Sequence, residues 1–154
     1  MRITPIYEGT NGIQAADLVG RKLGRDGGST MQQVVDEIRT DAEALIAAGG
    51  ALELVGRRLL DAAAIQGSST EQILQLMSSS PEAAQGVAFD YLMQTGFCFG
   101  GWQLARGAAV AQQRLRSGSD DPFYERKIAT ASYYAHNILP RCRGYAAVVN
   151  ESGP

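Results

Sequence analysis

The residues of this 154-residue chain with the types and spacing for chemistry lie at its start, in Ile6-Tyr7-Glu8-Gly9-Thr10-Asn11-Gly12-Ile13-Gln14. Pro5 disfavours helix at Thr4, so residues 1–9 read as an extended entry. Glu8 then places a carboxylate one step before a glycine and a helix cap at Thr10 or Asn11. Gly9 permits backbone conformations that other residues resist and lets a ligand come close. The first backbone N–H groups of a helix have no intrahelical partner and can bind a polar or anionic group. The same residues also describe a surface glutamate beside a helix cap, and taken alone they favour that plainer reading.

Other constellations fail. The single histidine, His136, has Tyr133 three residues before it, so the paired Glu-x-x-His motifs of a di-iron bundle are absent. Zinc would need more than one histidine beside the distant Cys98 and Cys142, so no metal is expected. The two cysteines lack CxxC spacing and read as reduced, buried thiols. No nucleophile elbow is present. Gly24-x-x-Gly27-Gly28 has no Lys-Ser/Thr after it and reads as a plain loop. His136 reads as a helix-surface or interface residue, and Phe97, Phe99, Trp102 and the Tyr133-Tyr134 pair as packing or interface residues.

The elements that would position these groups are all helical. Ala and Gly are abundant and strand-like alternation is rare. A first helix runs from Thr10 or Asn11 to about Leu23, with Ile13, Ala16, Val19 and Leu23 on one face, and breaks at 24–28. Ser29 with Gln32 has the capping-box spacing and opens a second helix, with Met31, Val34, Val35, Ile38, Ala42, Leu45 and Ile46 as its stripe and Gly49-Gly50 as its stop. A third helix carries Leu52, Val55, Leu59, Ala62 and Ala63 and stops near Gly67. Ser69 with Gln72 repeats the box before a short helix holding Ile73, Leu76 and Met77. Pro81 suits a first helical position and starts one long helix to about Arg116, carrying Val87, Leu92, Phe99, Trp102, Leu104 and Val110. Gly96 and Gly100-Gly101 weaken that helix by about 1 kcal/mol each and are expected to admit a neighbouring helix. After the Ser117-Gly118-Ser119 loop, Asp121-Pro122 opens a last helix with Ile128, Ala131, Ala135 and Ile138, kinked by Pro140 and frayed after Asn150. The expected fold is all-α: an antiparallel four-helix bundle preceded by an extended segment and one helix.

Composition excludes several functions. Hydrophobic residues make up 45% and charged residues 19%, an ordinary globular mixture able to bury one core. Net charge is −2, with 14 Lys and Arg scattered among 16 Asp and Glu, so there is no basic footprint for nucleic acid or anionic lipid. No apolar run reaches the roughly 18–20 residues of a membrane span, and no export signal opens the chain, which points to the cytoplasm.

The segment around Glu8 resembles the acyl-CoA dehydrogenase signature, in which Tyr-Glu-Gly-Thr carries the general base. The likeness continues through Ala15, Asp17, Leu18, Val19, Gly20, Arg21, Lys22 and Leu23. This longer stretch is similar to the large bacterial subfamily that includes methylmercaptopropionyl-CoA dehydrogenases, whose members carry an extra C-terminal helical domain. Later segments agree: Gly100-Gly101-Trp102-Gln103-Leu104-Ala105-Arg106, Asp121-Pro122-Phe123-Tyr124 and Ile128-Ala129-Thr130-Ala131.

The resemblance implies that Glu8 removes the α-proton of an acyl-CoA thioester while FAD takes the β-hydride. It implies that Gly9 lies against substrate, that Tyr7 helps wall the acyl pocket, and that Thr10, Asn11 and Gly12 touch FAD. Many relatives have Ser-Gln where this chain has Asn11-Gly12, which leaves backbone contact as the role of Gly12. Residues 1–23 would close the catalytic bundle and residues 29–150 form the extension. The implied partners are acyl-CoA, an electron-transfer flavoprotein and further copies of the chain in a homo-oligomer. A motif this close to Met1 has the pattern of an excised C-terminal piece, so the isolated chain is expected to retain no flavin and to be inactive. The competing expectation is a stand-alone helical interaction or oligomerisation module without catalysis.

Overall fold

The computed structural model describes residues 10–152, which are helical throughout apart from short connections, with no strand among them. The extended entry expected over residues 1–9 lies outside the described residues. In chain order the elements are α1 (Thr10–Ala16), a π-helical segment (Asp17–Leu23), α2 (Gly24–Asp26), α3 (Ser29–Ala48), α4 (Ala51–Ser79), α5 (Pro81–Gly86), α6 (Ala88–Arg116), α7 (Pro122–Asn137) and α8 (Arg141–Glu151).

The first helical stretch differs from the α-periodic reading. Ala15, Val19 and Leu23 are buried, whereas Ile13 is 67% exposed and Ala16 is exposed. The wider π turn keeps residues four apart on one face, so the buried stripe steps by four through this segment. The stretch then continues through Asp26 before Gly27 and Gly28, at φ +61° and +80°, make the turn into α3. Only glycine adopts two successive left-handed conformations without cost. The expected capping box at Ser29 is replaced by Asp26: its carboxylate accepts from Gly28 N (3.0 Å) and Thr30 N (3.1 Å) and from the Thr30 hydroxyl.

α4 is one helix of 29 residues, not two. The expected stop near Gly67 does not occur, and a Cβ added at Gly67 would lie 3.5 Å from Arg39 Nη2 and 3.7 Å from Val35 Cγ1 on α3. Ser69 is buried and donates to Gln94 Oε1 (3.1 Å), so its hydroxyl serves tertiary packing and not a cap. The helix expected from Pro81 to Arg116 is divided at Val87, which leaves helical geometry (φ −102°, ψ 4°) as its side chain is buried. Val110, expected in the stripe, is 54% exposed. Pro140 does more than kink the last helix. α7 ends at Asn137, the Tyr134 carbonyl accepts from both Ile138 N and Leu139 N, and α8 starts afresh at Arg141.

α4 and α6 form the central pair, antiparallel because Gln66 meets Thr95 while Thr70 meets Tyr91. α3 lies antiparallel along α4, where Gly56 admits the Ala42 carbonyl so closely that a Cβ there would sit 2.6 Å from it. α7 and α8 cover the α4/α6 pair, whereas α3 touches α6 only sparsely. Gly100 and Gly101 admit Tyr134 and Leu139, as their small size implies; Gly96 admits nothing within 4 Å. Two apolar clusters result, one built on α3, α4, α6 and α7, the other joining the π segment to α4, α5 and the start of α6. Among the described residues no helix is long and apolar enough to cross a membrane.

Candidate active-site segment

Tyr7, Glu8 and Gly9 lie outside the described residues, so the candidate site is read from the helix that follows them. Thr10 opens α1 and is half-buried; Asn11 and Gly12 are exposed. A side chain added at Gly12 would meet nothing within 4 Å. The first turn therefore presents Asn11, Gly12 and Ile13 outward. The helix beneath it is fixed by Ala15, Val19 and Leu23, which pack with Ile73, Leu76, Val87, Ala88 and Tyr91. Burial at the far end holds the near end in place, since apolar area removed from water is worth about 25 cal/mol per Å².

Asp17 lies one to two turns further on. It is ion-paired with Arg21 and accepts from Arg21 Nη2 at 2.8 Å, with Lys22 Nζ at 3.7 Å. The Arg21 hydrogen bond, with both cations, holds its carboxyl below the usual range. This exposed cluster lies beside a cleft of about 520 Å³ between the π segment and α3, with Leu18, Met31, Val34 and Phe99 as apolar walls and Arg25 at its edge.

The remaining candidates are structural. His136 is exposed, its Nδ1 2.9 Å from the Ser132 carbonyl oxygen on its own helix. Cys98 and Cys142 are free and buried. Burial pushes the Cys98 thiol up to about 12 and the Cys142 thiol to about 11, so neither supplies a thiolate nucleophile near neutral pH. Trp102 is buried and donates Nε1–H to Asp41 at 2.7 Å, with Phe99 edge-on to its ring. Phe97 lies against Tyr145, and Tyr134 donates to the Phe97 carbonyl. Tyr133 is 65% exposed.

Two features went unread in the sequence. The first is a buried polar network between α4 and α6. Gln66 Nε2 donates to Thr95 Oγ1 (3.0 Å), Gln94 Nε2 donates to Gln66 Oε1 (3.1 Å), and Thr70 Oγ1 and Tyr91 Oη share a 2.7 Å bond. Its signal was available, as polar residues at helical spacing on both helices: Gln66, Ser69 and Thr70 on one, Tyr91, Gln94 and Thr95 on the other. The second is a cleft at the seam where α3 and α6 diverge, with Leu45, Ala48, Leu52 and Ala109 among its lining residues.

Comparison with known proteins settles the family. Residues 30–153, from α3 to the end of α8, match the family described as acetyl-CoA dehydrogenase C-terminal like. The chain belongs to that family. This acyl-CoA dehydrogenase C-terminal domain is 36% identical over 152 residues to a 3-methylmercaptopropionyl-CoA dehydrogenase of Ruegeria pomeroyi, covering 99% of the chain and 26% of that protein. It is 34% identical over 151 residues to a broad-specificity linear acyl-CoA dehydrogenase of Mycobacterium tuberculosis, covering 90% of the chain and 24% of that protein. The chain thus spans about a quarter of the length of these relatives.

Proposed function

We propose that this domain acts as the C-terminal portion of a flavin-dependent acyl-CoA dehydrogenase, with Glu8 as the general base. One observation carries the reading. Nearly the whole chain, including the segment around Glu8, aligns with a dehydrogenase of acyl-CoA thioesters. In this division of labour residues 1–23 complete the catalytic part and residues 29–150 form the extension. The family match beginning at residue 30 supports that boundary.

The chemistry assigns the parts. An α-proton is weakly acidic until its thioester carbonyl is polarised, so a donor must face the oxygen on which negative charge develops. The backbone N–H of Glu8 is one such donor, and the Glu8 carboxylate takes the proton. An apolar, water-excluding surround raises a carboxyl toward working pH by desolvation. Gly9 keeps the backbone low against the acyl chain, and Tyr7 walls the pocket. The open face of Asn11 and Gly12 on a fixed helix fits a large cofactor, and Thr10, Asn11 and Gly12 would hold FAD there. FAD, when bound, supplies the hydride acceptor. An electron-transfer flavoprotein would then reoxidise the enzyme, which would work in the cytoplasm as a homo-oligomer.

In the polypeptide that contains this domain, Glu8→Gln should lower dehydrogenation by about 10²–10⁴-fold while flavin absorbance stays in place. Near-normal turnover would remove Glu8 from the base role. The 154-residue chain alone should carry no flavin absorbance through gel filtration, because the groups enclosing the cofactor lie in the other three quarters of such an enzyme. Retained flavin would overturn that division.

A further inference from the structure

We propose that the outward face of α6 docks on the same face of a second copy of this chain, the two helices crossing antiparallel about a two-fold axis at Gln103. The face is a spine of exposed residues at seven-residue steps: Phe89, Gly96, Gln103 and Val110. Phe89 is 44% and Val110 is 54% exposed. Seven residues make about two turns, so these four share one line along the helix. Gly107 lies beside that line, about three turns from Gly96. Among the described residues, a side chain added at Gly96 or Gly107 would meet nothing within 4 Å, so no contact in this chain requires either glycine. Each weakens the helix relative to alanine all the same. Small residues on an open face, with large apolar ones on either side, suit the close approach of another helix.

The face is self-complementary, and that selects a second copy as its occupant. A two-fold interface brings one patch against itself, so each knob needs a hole at the same distance on the other side of the axis. Gly96 and Val110 each lie seven residues from Gln103. Antiparallel crossing at Gln103 therefore seats Val110 of each copy over Gly96 of the other. The two Gln103 amides meet on the axis, where each has both donors and an acceptor to offer. A central polar pair of this kind fixes register, as one polar residue does in a coiled-coil seam. Charge sets the orientation. α6 has Asp90 in its first turn and Arg114 and Arg116 in its last. Antiparallel packing puts these unlike ends together, whereas parallel packing puts like ends together.

This surface gives the homo-oligomer of the reading above its interface, but its grounds lie in α6 alone. The test uses the 154-residue chain and no turnover, so its failure leaves the dehydrogenase reading standing. Sedimentation equilibrium over roughly 1–100 µM should show a monomer–dimer equilibrium. Val110→Lys should weaken dimerisation by about tenfold or more while circular dichroism stays unchanged. Gln103→Cys should form a covalent dimer with glutathione disulfide, the two thiols joining as the reagent is reduced to two glutathione molecules. Val148→Cys, at a 45% exposed position on α8, should not. A chain that stays monomeric at about 100 µM sinks the proposal. So does a dimer that Val110→Lys leaves unchanged, or equal cross-linking from positions 103 and 148. Should the chain be monomeric and a thiol at position 103 be shielded from maleimide only in the longer polypeptide, the face belongs to the rest of that polypeptide and the proposal falls.

Discussion

At the scale of single residues, the two buried thiols make a prediction with a definite sign. Cys98 rises from an ordinary 9.0 to about 12 and Cys142 to about 11, with burial the leading cause in both. The fold therefore favours the protonated thiol. Stability from this source is fully present below pH 9 and is lost as pH rises through the folded-state values, at up to about 1.4 kcal/mol per pH unit for each group. Denaturant midpoints should fall more steeply between pH 9 and 10.5 than between pH 7 and 8.5. Cys98→Ala should flatten that fall, and an unchanged pH profile in the variant would assign the slope elsewhere. The thiols themselves were legible as buried and reduced. That Cys142 sits 3.7 Å from the Gln94 carbonyl, one turn from Cys98, needed the docking of α8 on α6.

At the scale of elements, the α4/α6 pair shows how polar residues can replace a break with a continuous helix. Ser69 and Gln72 have capping-box spacing, and Gly67 precedes them, so local chemistry favours a stop. Tertiary contact overrules it. Ser69 donates to Gln94, and Gln94 also donates to Gln66, so the polar groups are satisfied across the helix pair. Gln94→Leu would leave Ser69 Oγ and Gln66 Oε1 without these partners. We predict a loss of about 2–4 kcal/mol in stability. Chemical denaturation measures it, and a change below about 0.5 kcal/mol would mean that the network contributes no net stability. The Gly100-Gly101 pair worked the other way: small residues in a helix signalled close approach, and Tyr134 and Leu139 make it.

At the scale of the whole molecule, the helical stretch over residues 10–26 shares a core with the helices that follow it. Leu23, from the stretch proposed to complete the catalytic part, is 3% exposed in the cluster that includes Ile73, Leu76 and Tyr91. The described residues should therefore unfold together. Leu23→Ala should cost about 2–5 kcal/mol and move a single cooperative transition down by several degrees. A separate early transition, with the main one unmoved, would show that residues 10–26 fold independently. This coupling also gives the proposed site its footing, since the turn presenting Asn11 and Gly12 is set by the burial of Ala15, Val19 and Leu23.

The sequence by itself determined the all-α class, most of the apolar stripes, the Gly49-Gly50 and Asp121-Pro122 boundaries and the family. These are local or linear properties, carried by helical periodicity, by residues with special backbone freedom and by an ordered motif. Tertiary structure decided the rest. The π winding after Ala16, the continuity of α4, the break at Val87 and the separate α8 each depend on what a neighbouring helix offers to a side chain. The cleft where α3 diverges from α6 has the same origin, because a gap between two helices is a property of neither one alone.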